Sequence, residues 1–260
     1  MRGRENALPA ASRMGSALGI ASRGARWYSG RMPLWSGVAV FLLGLAAARP
    51  LAAESLYVFF PTTVRPHVLQ KGLSGSGLDV IAFGRFADFE DKARSAPPDA
   101  ILTLPEVVAN MEGYQVAVPG RHNGESREPY FLMSLEKAMD PSSIAGNTIG
   151  IVDFLGRKGM QKFMAGIFQP APTVKTVTKV EDLLPLITFK MADGILVTQA
   201  QAEYFRSISN LKFVLTPVPM AKAGTICLAV RKGAEAPKSI RTLKAMDAEL
   251  RKLLGDVRWE

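Results

Sequence analysis

Apolar positions in this chain fall into short, β-branched runs separated by amphipathic stretches of helical length. Such runs occupy residues 56–60 (LYVFF), 78–83 (LDVIAF), 99–104 (DAILTL), 148–152 (TIGIV), 173–178 (TVKTVT), 194–198 (GILVT), 211–215 (LKFVL) and 225–230 (TICLAV). Near-continuous apolar runs of this length read as strands buried on both faces. Helical periodicity marks residues 64–71, 86–96, 105–111, 160–168, 181–190 and 199–207, and a closing amphipathic helix over 239–254. Two more strands, at 114–118 and 130–135, flank a polar loop over 119–129. Strand–helix alternation of this kind predicts an α/β fold with helices packed on both faces of a parallel sheet.

The segment 142–159 (SSIAGNTIGIVDFLGRKG) divides the pattern. It combines a tight turn at Ala145-Gly146-Asn147, a buried strand, Asp153 at the strand's carboxyl end, and a glycine-bearing start to the next helix. Ligands of open α/β sheets sit beyond the carboxyl ends of strands, where the free N–H groups of a following helix favour negative charge. The residues on the N-terminal side of this segment read as one α/β lobe. Those on its C-terminal side read as a second lobe that finally returns to the first.

Charge changes the picture less than its total suggests. The net charge of +9 points to a nucleic-acid or acidic-membrane partner, but residues 1–53 carry seven arginines against one acid, Glu5. That segment holds +6 of the +9, so the remaining body carries only +3, and nucleic acid is not an expected partner. Within the segment, residues 38–48 are uninterruptedly apolar, yet shorter than the roughly 20 residues that span a bilayer. They fit the apolar core of a secretory signal, with small-residue cleavage sites at 46–48 or after Ala53 and possible starts at Met1, Met14 or Met32. The arginine-rich, acid-poor composition also suits an organelle transit peptide; the unbroken apolar run favours export, hence a periplasmic protein with no membrane span after processing.

Candidate chemistry is sparse. Cys227 is the single cysteine and lies in an apolar run, so it cannot form an internal disulfide and reads as a small buried hydrophobe. His67 and His122 have no Cys or carboxylate at ligand spacing, and G-x-S-x-G, P-loop and G-x-G-x-x-G patterns are absent. Glu90-Asp91 and Glu181-Asp182 read as solvated helix ends, not as a paired acid and base. The expectation is a protein without cofactor, metal or enzymatic activity.

The order of elements resembles that of two-lobed periplasmic solute-binding proteins with two hinge crossings, in particular the phosphate/phosphonate type of ABC transporters. The resemblance rests on LYVFFPTT, SSIAGNTIGIVD, VEDLLPLITFKMADGILVTQAQAEYF and GTICLAVRKGAEAP. It implies two lobes, each a mainly parallel sheet flanked by helices. The corresponding boundaries are a leader over 1–53, a first lobe over 54–140, a second over 141–218, and a return to the first over 219–260. It further implies a monomeric exported receptor that closes around a small, anionic ligand and hands it to an ABC-transporter permease. One departure stands out: where the family presents a Ser/Thr cluster, this chain has Phe154-Leu155-Gly156-Arg157-Lys158-Gly159. Backbone donors and Arg157 remain for an anion, but the hydroxyls do not, so the ligand is a larger anion, a partly apolar molecule, or no transported solute.

Each candidate binding residue has a plainer alternative. Thr62, Thr63 and Thr103 end strands and either face the cleft or cap helices. Thr198 and Gln199 end the 194–198 strand, and Gln199 either bonds a ligand or starts a surface helix. Asp153 orients Arg157, accepts from a ligand, or caps the next helix. Gly156 offers its N–H, Arg157 its guanidinium or a solvated charge, and Tyr130 a ring near the first hinge or a core contact. The other functions open to this pattern are an envelope sensory or interaction protein with a degenerate binding domain, and an enzyme on the same fold.

Overall fold

A computed structural model of the chain describes residues 53–259, so the expected leader lies outside the described residues except for Ala53. The described chain opens with β1 (Ser55–Val58), α1 (Pro66–Ser74), β2 (Asp79–Ala82), α2 (Phe86–Ser95), β3 (Ala100–Thr103) and α3 (Pro105–Ala109). Three strands come next, β4 (Tyr114–Val118), β5 (Gly120–Arg121) and β6 (Arg127–Leu135). They lead to β7 (Thr148–Val152), α4 (Gly156–Ile167), β8 (Thr173–Val177), α5 (Leu183–Thr188), β9 (Gly194–Thr198) and α6 (Gln199–Ile208). The last elements are β10 (Phe213–Gly224), β11 (Cys227–Arg231), α7 (Pro237–Lys244), α8 (Ala248–Leu253) and β12 (Arg258–Trp259). No helix among the described residues is long and apolar enough to cross a membrane.

The strands form two five-stranded sheets, β2-β1-β3-β11-β4 and β10-β6-β9-β7-β8, plus a small β12-β5 ladder. Both large sheets are mainly parallel, as the sequence pattern predicts: four of the five strands in each share one direction, and one strand is reversed. β1 runs parallel to β2 and β3, but β11 runs antiparallel to β3 and β4. Likewise β7 runs parallel to β8 and β9, but β6 runs antiparallel to β9 and β10. The physical reason is connectivity. Parallel pairing requires a crossover such as a helix, whereas β6 and β11 enter their sheets directly from the hinge.

The lobe boundary differs from the expected one. The sequence pattern puts the strand at 130–135 in the first lobe; it is part of β6, in the second sheet beside β9 and β10. Its partner β10 continues past Pro217 and Pro219 to Gly224, with an irregularity between Val218 and Lys222. An edge strand tolerates proline because its outward N–H has no ladder partner to lose. The chain therefore crosses near residues 119–126 and 224–226, not at 140/141 and 218/219.

The period-2 alternation of strands sorts side chains between cores. Leu56 and Val58 of β1, Ala100 and Leu102 of β3, and Leu228 and Val230 of β11 pack with α1, α7 and the C-terminal segment. The intervening Tyr57, Ile101, Cys227 and Ala229 join a cluster that includes Ile149, Ile151, Phe154 and Met160 of the second lobe. A third cluster, with Ile195, Val197, Leu183 and Phe205, fills the other face of the second sheet. The lobes thus share an apolar core on the cleft side.

At the hinge the two crossings touch. Thr225 N donates to Ser126 O at 3.0 Å, and a Cβ on Gly120 would collide with the carbonyl oxygen of Ile226. The polar loop expected at 119–129 is a hairpin: Asn123 and Gly124 have φ of 51° and 84°, and His122 and Glu125 exchange two backbone bonds of 2.9 Å. Positive φ at both central positions is the signature of a type I′ turn.

The closing helix expected over 239–254 is two helices, because Asp247 accepts from Leu250 N at 2.8 Å and starts α8 afresh. Glu54, just before β1, caps α7 from the opposite end of the chain by accepting from Lys238 N at 3.0 Å and Ser239 N at 2.8 Å. Replacing Glu54 by Ala strips those helix-start donors of their acceptor. The expected cost is about 1 kcal/mol, seen as a thermal midpoint lowered by roughly 2–4 °C. Differential scanning calorimetry checks this, with Glu54→Gln retaining part of the effect.

Candidate functional site

Strand ends from both sheets converge on a cavity of about 250 Å³. The first lobe supplies Phe60 to Thr63 beyond β1 and Leu104 beyond β3; the second supplies Val152 at the end of β7, Phe154 beyond it, and Thr198, Gln201 and Tyr204 at β9–α6. The hinge adds His122, Glu128, Tyr130, Gly224 and Thr225, and the loop after α8 closes the remaining side with Leu254 and Gly255. Apolar side chains dominate these walls, so specificity falls to a few polar groups.

Tyr130 stands at the centre of those groups. It lies in β6 directly opposite Thr198 of β9 and is only 5% exposed. Burial pushes its phenol well above the usual tyrosine range, and the nearby carboxylates of Glu106 and Glu128 push in the same direction. The side chain therefore stays a neutral phenol. Beside it, Glu128 Oε1 lies 2.6 Å from His122 Nδ1, and Glu106 Oε1 accepts from Gly224 N at 2.9 Å. Glu128 thus lines the hinge end of the cavity, while Glu106 holds the lining residue Gly224 from outside it.

Thr198 and Gln201 form a capping box at the start of α6: Thr198 Oγ1 accepts from Gln201 N at 3.4 Å, and Gln201 Oε1 accepts from Thr198 N at 3.1 Å. These bonds use acceptors, leaving the Thr198 O–H and the Gln201 amide N–H groups as donors. Thr62 Oγ1 accepts from Val64 N at 3.1 Å. Neither Thr62 nor Thr63 caps α1, whose N-cap is Arg65.

Four of the nine candidate residues, Thr62, Thr63, Tyr130 and Thr198, line this cavity; Thr103, Asp153, Gly156, Arg157 and Gln199 do not. Thr103 is fully buried within β3, its hydroxyl without a partner, and pairs in register with Cys227. Gln199 turns outward, its Nε2 donating to Glu203 at 2.6 Å. The start of α4 is not an open anion site. Asp153 Oδ1 accepts from Leu155 N at 3.2 Å and Gly156 N at 2.7 Å, so the chain's own carboxylate occupies those donors. Phe86 covers the same spot: a Cβ on Gly156 would lie 3.3 Å from its Cε1. Arg157 is exposed to solvent.

Among the lining residues, sequence reasoning passes over His122, Glu128, Gln201 and Thr225. The Asn123-Gly124 turn signal is available for the first pair, and the Thr198-x-x-Gln201 spacing for the third. Lys252 Nζ sits 3.1 Å from Glu249, and the His122 ring is hydrogen-bonded to Glu128. Among the described residues, no arginine lines the cavity. No cluster of metal-ligating side chains occurs among the described residues.

Neither a protein-family model nor a curated protein sequence matches the chain. Solved structures do match. The binding component of an ABC phosphonate transporter from Pseudomonas aeruginosa superposes with a TM-score of 0.57 at 14% identity, over 80% of this chain and 81% of that one. The amino acid ABC transporter substrate-binding protein AbpA of Streptococcus pneumoniae, solved with L-arginine, gives 0.54 at 14%, over 78% and 94%. The periplasmic VFT2 domain of Bordetella pertussis BvgS gives 0.51 at 17%, over 78% and 92%. The chain therefore has the two-lobed α/β fold of periplasmic binding proteins. At these identities the likeness is one of fold.

Cys227 is buried at the cleft-side core, and burial, helped by Glu106, pushes its thiol up to about 12. Such a thiol is not primed as a nucleophile. A raised folded-state value means the folded chain holds a proton that the unfolded chain releases, so this contribution to stability is lost as pH climbs from 9.0 toward about 12. Denaturant unfolding across that window is expected to show a shallower loss for Cys227→Ala than for the parent. Identical slopes would mean the thiol is not held this way.

Proposed function

We propose that the chain is an exported solute-binding receptor whose lobes close around one small, largely apolar ligand with a hydrogen-bonding head. The observation that carries this reading is the cavity at strand ends of both sheets, with Tyr130, Thr198 and Glu128 meeting at its hinge end. A cavity of about 250 Å³ suits a small metabolite. Its polar end, lined by Glu128, favours a neutral or cationic head such as an amine over phosphate or phosphonate. A multiply charged anion gains from convergent cationic donors, and Lys252, the lysine that lines this cavity, already faces Glu249. The amine-type head replaces the anionic ligand that the sequence resemblance implies, while export, binding without catalysis, and delivery to an ABC-transporter permease remain part of the proposal. Transport and sensing both use lobe closure, and similar folds occur in the transporter components and the BvgS domain named above.

A thermal-shift screen of the protein against short amines, alcohols, amino acids, phosphate and phosphonates tests the reading. A ligand at 100 times its Kd stabilises the folded state by roughly 2.7 kcal/mol. The expected hits are amines or neutral molecules, with Glu128→Gln weakening a cationic hit by about tenfold or more and Tyr130→Phe weakening all hits more modestly. Stabilisation by phosphate or phosphonate alone, unchanged in Glu128→Gln, would contradict it.

A further inference from the structure

A second concavity, of about 510 Å³, lies at the first hinge crossing and has a chemistry opposite to that of the cleft. Arg121 of β5, Arg258 of β12 and Arg251 of α8 line it, together with His122 and Asp256. Arg121 and Arg258 are direct register partners in the β5/β12 ladder, an arrangement in which like charges repel. Among the described residues, none of the three guanidiniums forms an ion pair. Arg121 Nη1 donates to the Gly124 carbonyl at 3.0 Å, and among the described residues Asp256 is the one acid that lines the concavity against three guanidiniums. The platform beneath is fixed: Gly120 is packed against Ile226 and Val257 without room for a side chain, and Trp259 is buried.

We propose that this concavity binds a phosphate-bearing anion at a site separate from the cleft. Planar guanidinium forks match phosphate oxygens two at a time, and three of them suit a group with several oxygens and more than one negative charge better than a single carboxylate. Such a group relieves the repulsion between Arg121 and Arg258 by standing between or beside both. The volume exceeds that of inorganic phosphate, leaving room for an organic remainder or a second phosphate. His122 lines both this concavity and the cleft, so the anion lies one side chain away from the ligand-facing Glu128. The same chemistry is presented by soluble phosphate compounds and by anionic lipid headgroups.

The test has two arms, both on the full chain. Calorimetry with pyrophosphate compares the parent with Arg121→Gln, Arg258→Gln and the distant control Arg94→Gln. Flotation then compares the same proteins on phosphatidylcholine vesicles with and without phosphatidylglycerol. The expected result is pyrophosphate binding that weakens about tenfold or more in the two hinge variants and not in the control. Binding to the anionic vesicles alone, lost in the same two variants, assigns the site to a headgroup. Removing one member of a like-charged pair should not lower the thermal midpoint without anion, which separates loss of binding from loss of fold. Absence of binding in both arms, or equal binding by parent and hinge variants, overturns the proposal.

Discussion

The constraint on which the rest of the structure depends is the contact between the two chain crossings. Gly120 on one crossing lies so close to the Ile226 carbonyl on the other that no side chain fits between them. Thr225 N bonds Ser126 O across the same gap, and Gly224 N is held by Glu106 of the first lobe. A Cβ on Gly224 would press on Pro105 Cδ at 2.6 Å. With the crossings locked to each other, β6 and β11 enter their sheets from adjacent points in opposite directions. That geometry gives each sheet its one reversed strand and brings the ends of β1, β3, β7 and β9 to a common cavity.

The chemistry of the cavity derives from the groups those ends present. Alternation along β1, β3 and β11 puts Tyr57, Ile101 and Ala229 into the same apolar cluster as Ile149, Ile151 and Phe154 of the second lobe. Apolar closure of this kind leaves water little place and makes each polar group count. Helix starts, the usual anion sites of α/β folds, are spoken for: Asp153 takes the donors of α4, and Gln201 closes the box at α6. The polar side chains at the cavity are the Tyr130 phenol, the hydroxyls of Thr62, Thr63, Thr198 and Thr225, the Gln201 amide, Lys252, and Glu128 with its partner His122. Positive charge gathers instead on the other wall of the hinge, at Arg121, Arg251 and Arg258.

Much of the α/β pattern is legible in the sequence because strands buried on both faces leave unbroken apolar runs, as at 148–152 and 194–198. The boundary between lobes is not, because β6 looks the same in either sheet: Tyr130 to Leu135 is an apolar strand whichever partners it pairs with. Pro217 and Pro219 suggest an end to β10 that its edge position makes unnecessary. Strand-end and hinge placement bring Thr62, Thr63, Tyr130 and Thr198 to the lining of the cavity. Glu128 escapes because its role depends on a hairpin folding His122 back to it, a contact of 2.6 Å that no spacing rule encodes. Asp153 carries both a capping and a binding reading in the sequence, and only the geometry separates them: its carboxylate bonds its own helix.

The central claim is that one ligand is held by both lobes at once. Amide hydrogen exchange of the protein, with and without a ligand found by screening, measures this most directly. The account predicts simultaneous protection beyond β1 at Thr62–Val64, at Thr198–Gln201 in the other lobe, and at Gly224 and Thr225 in the hinge. Protection confined to one lobe, or centred on the start of α4 at Gly156 and Arg157, would contradict it.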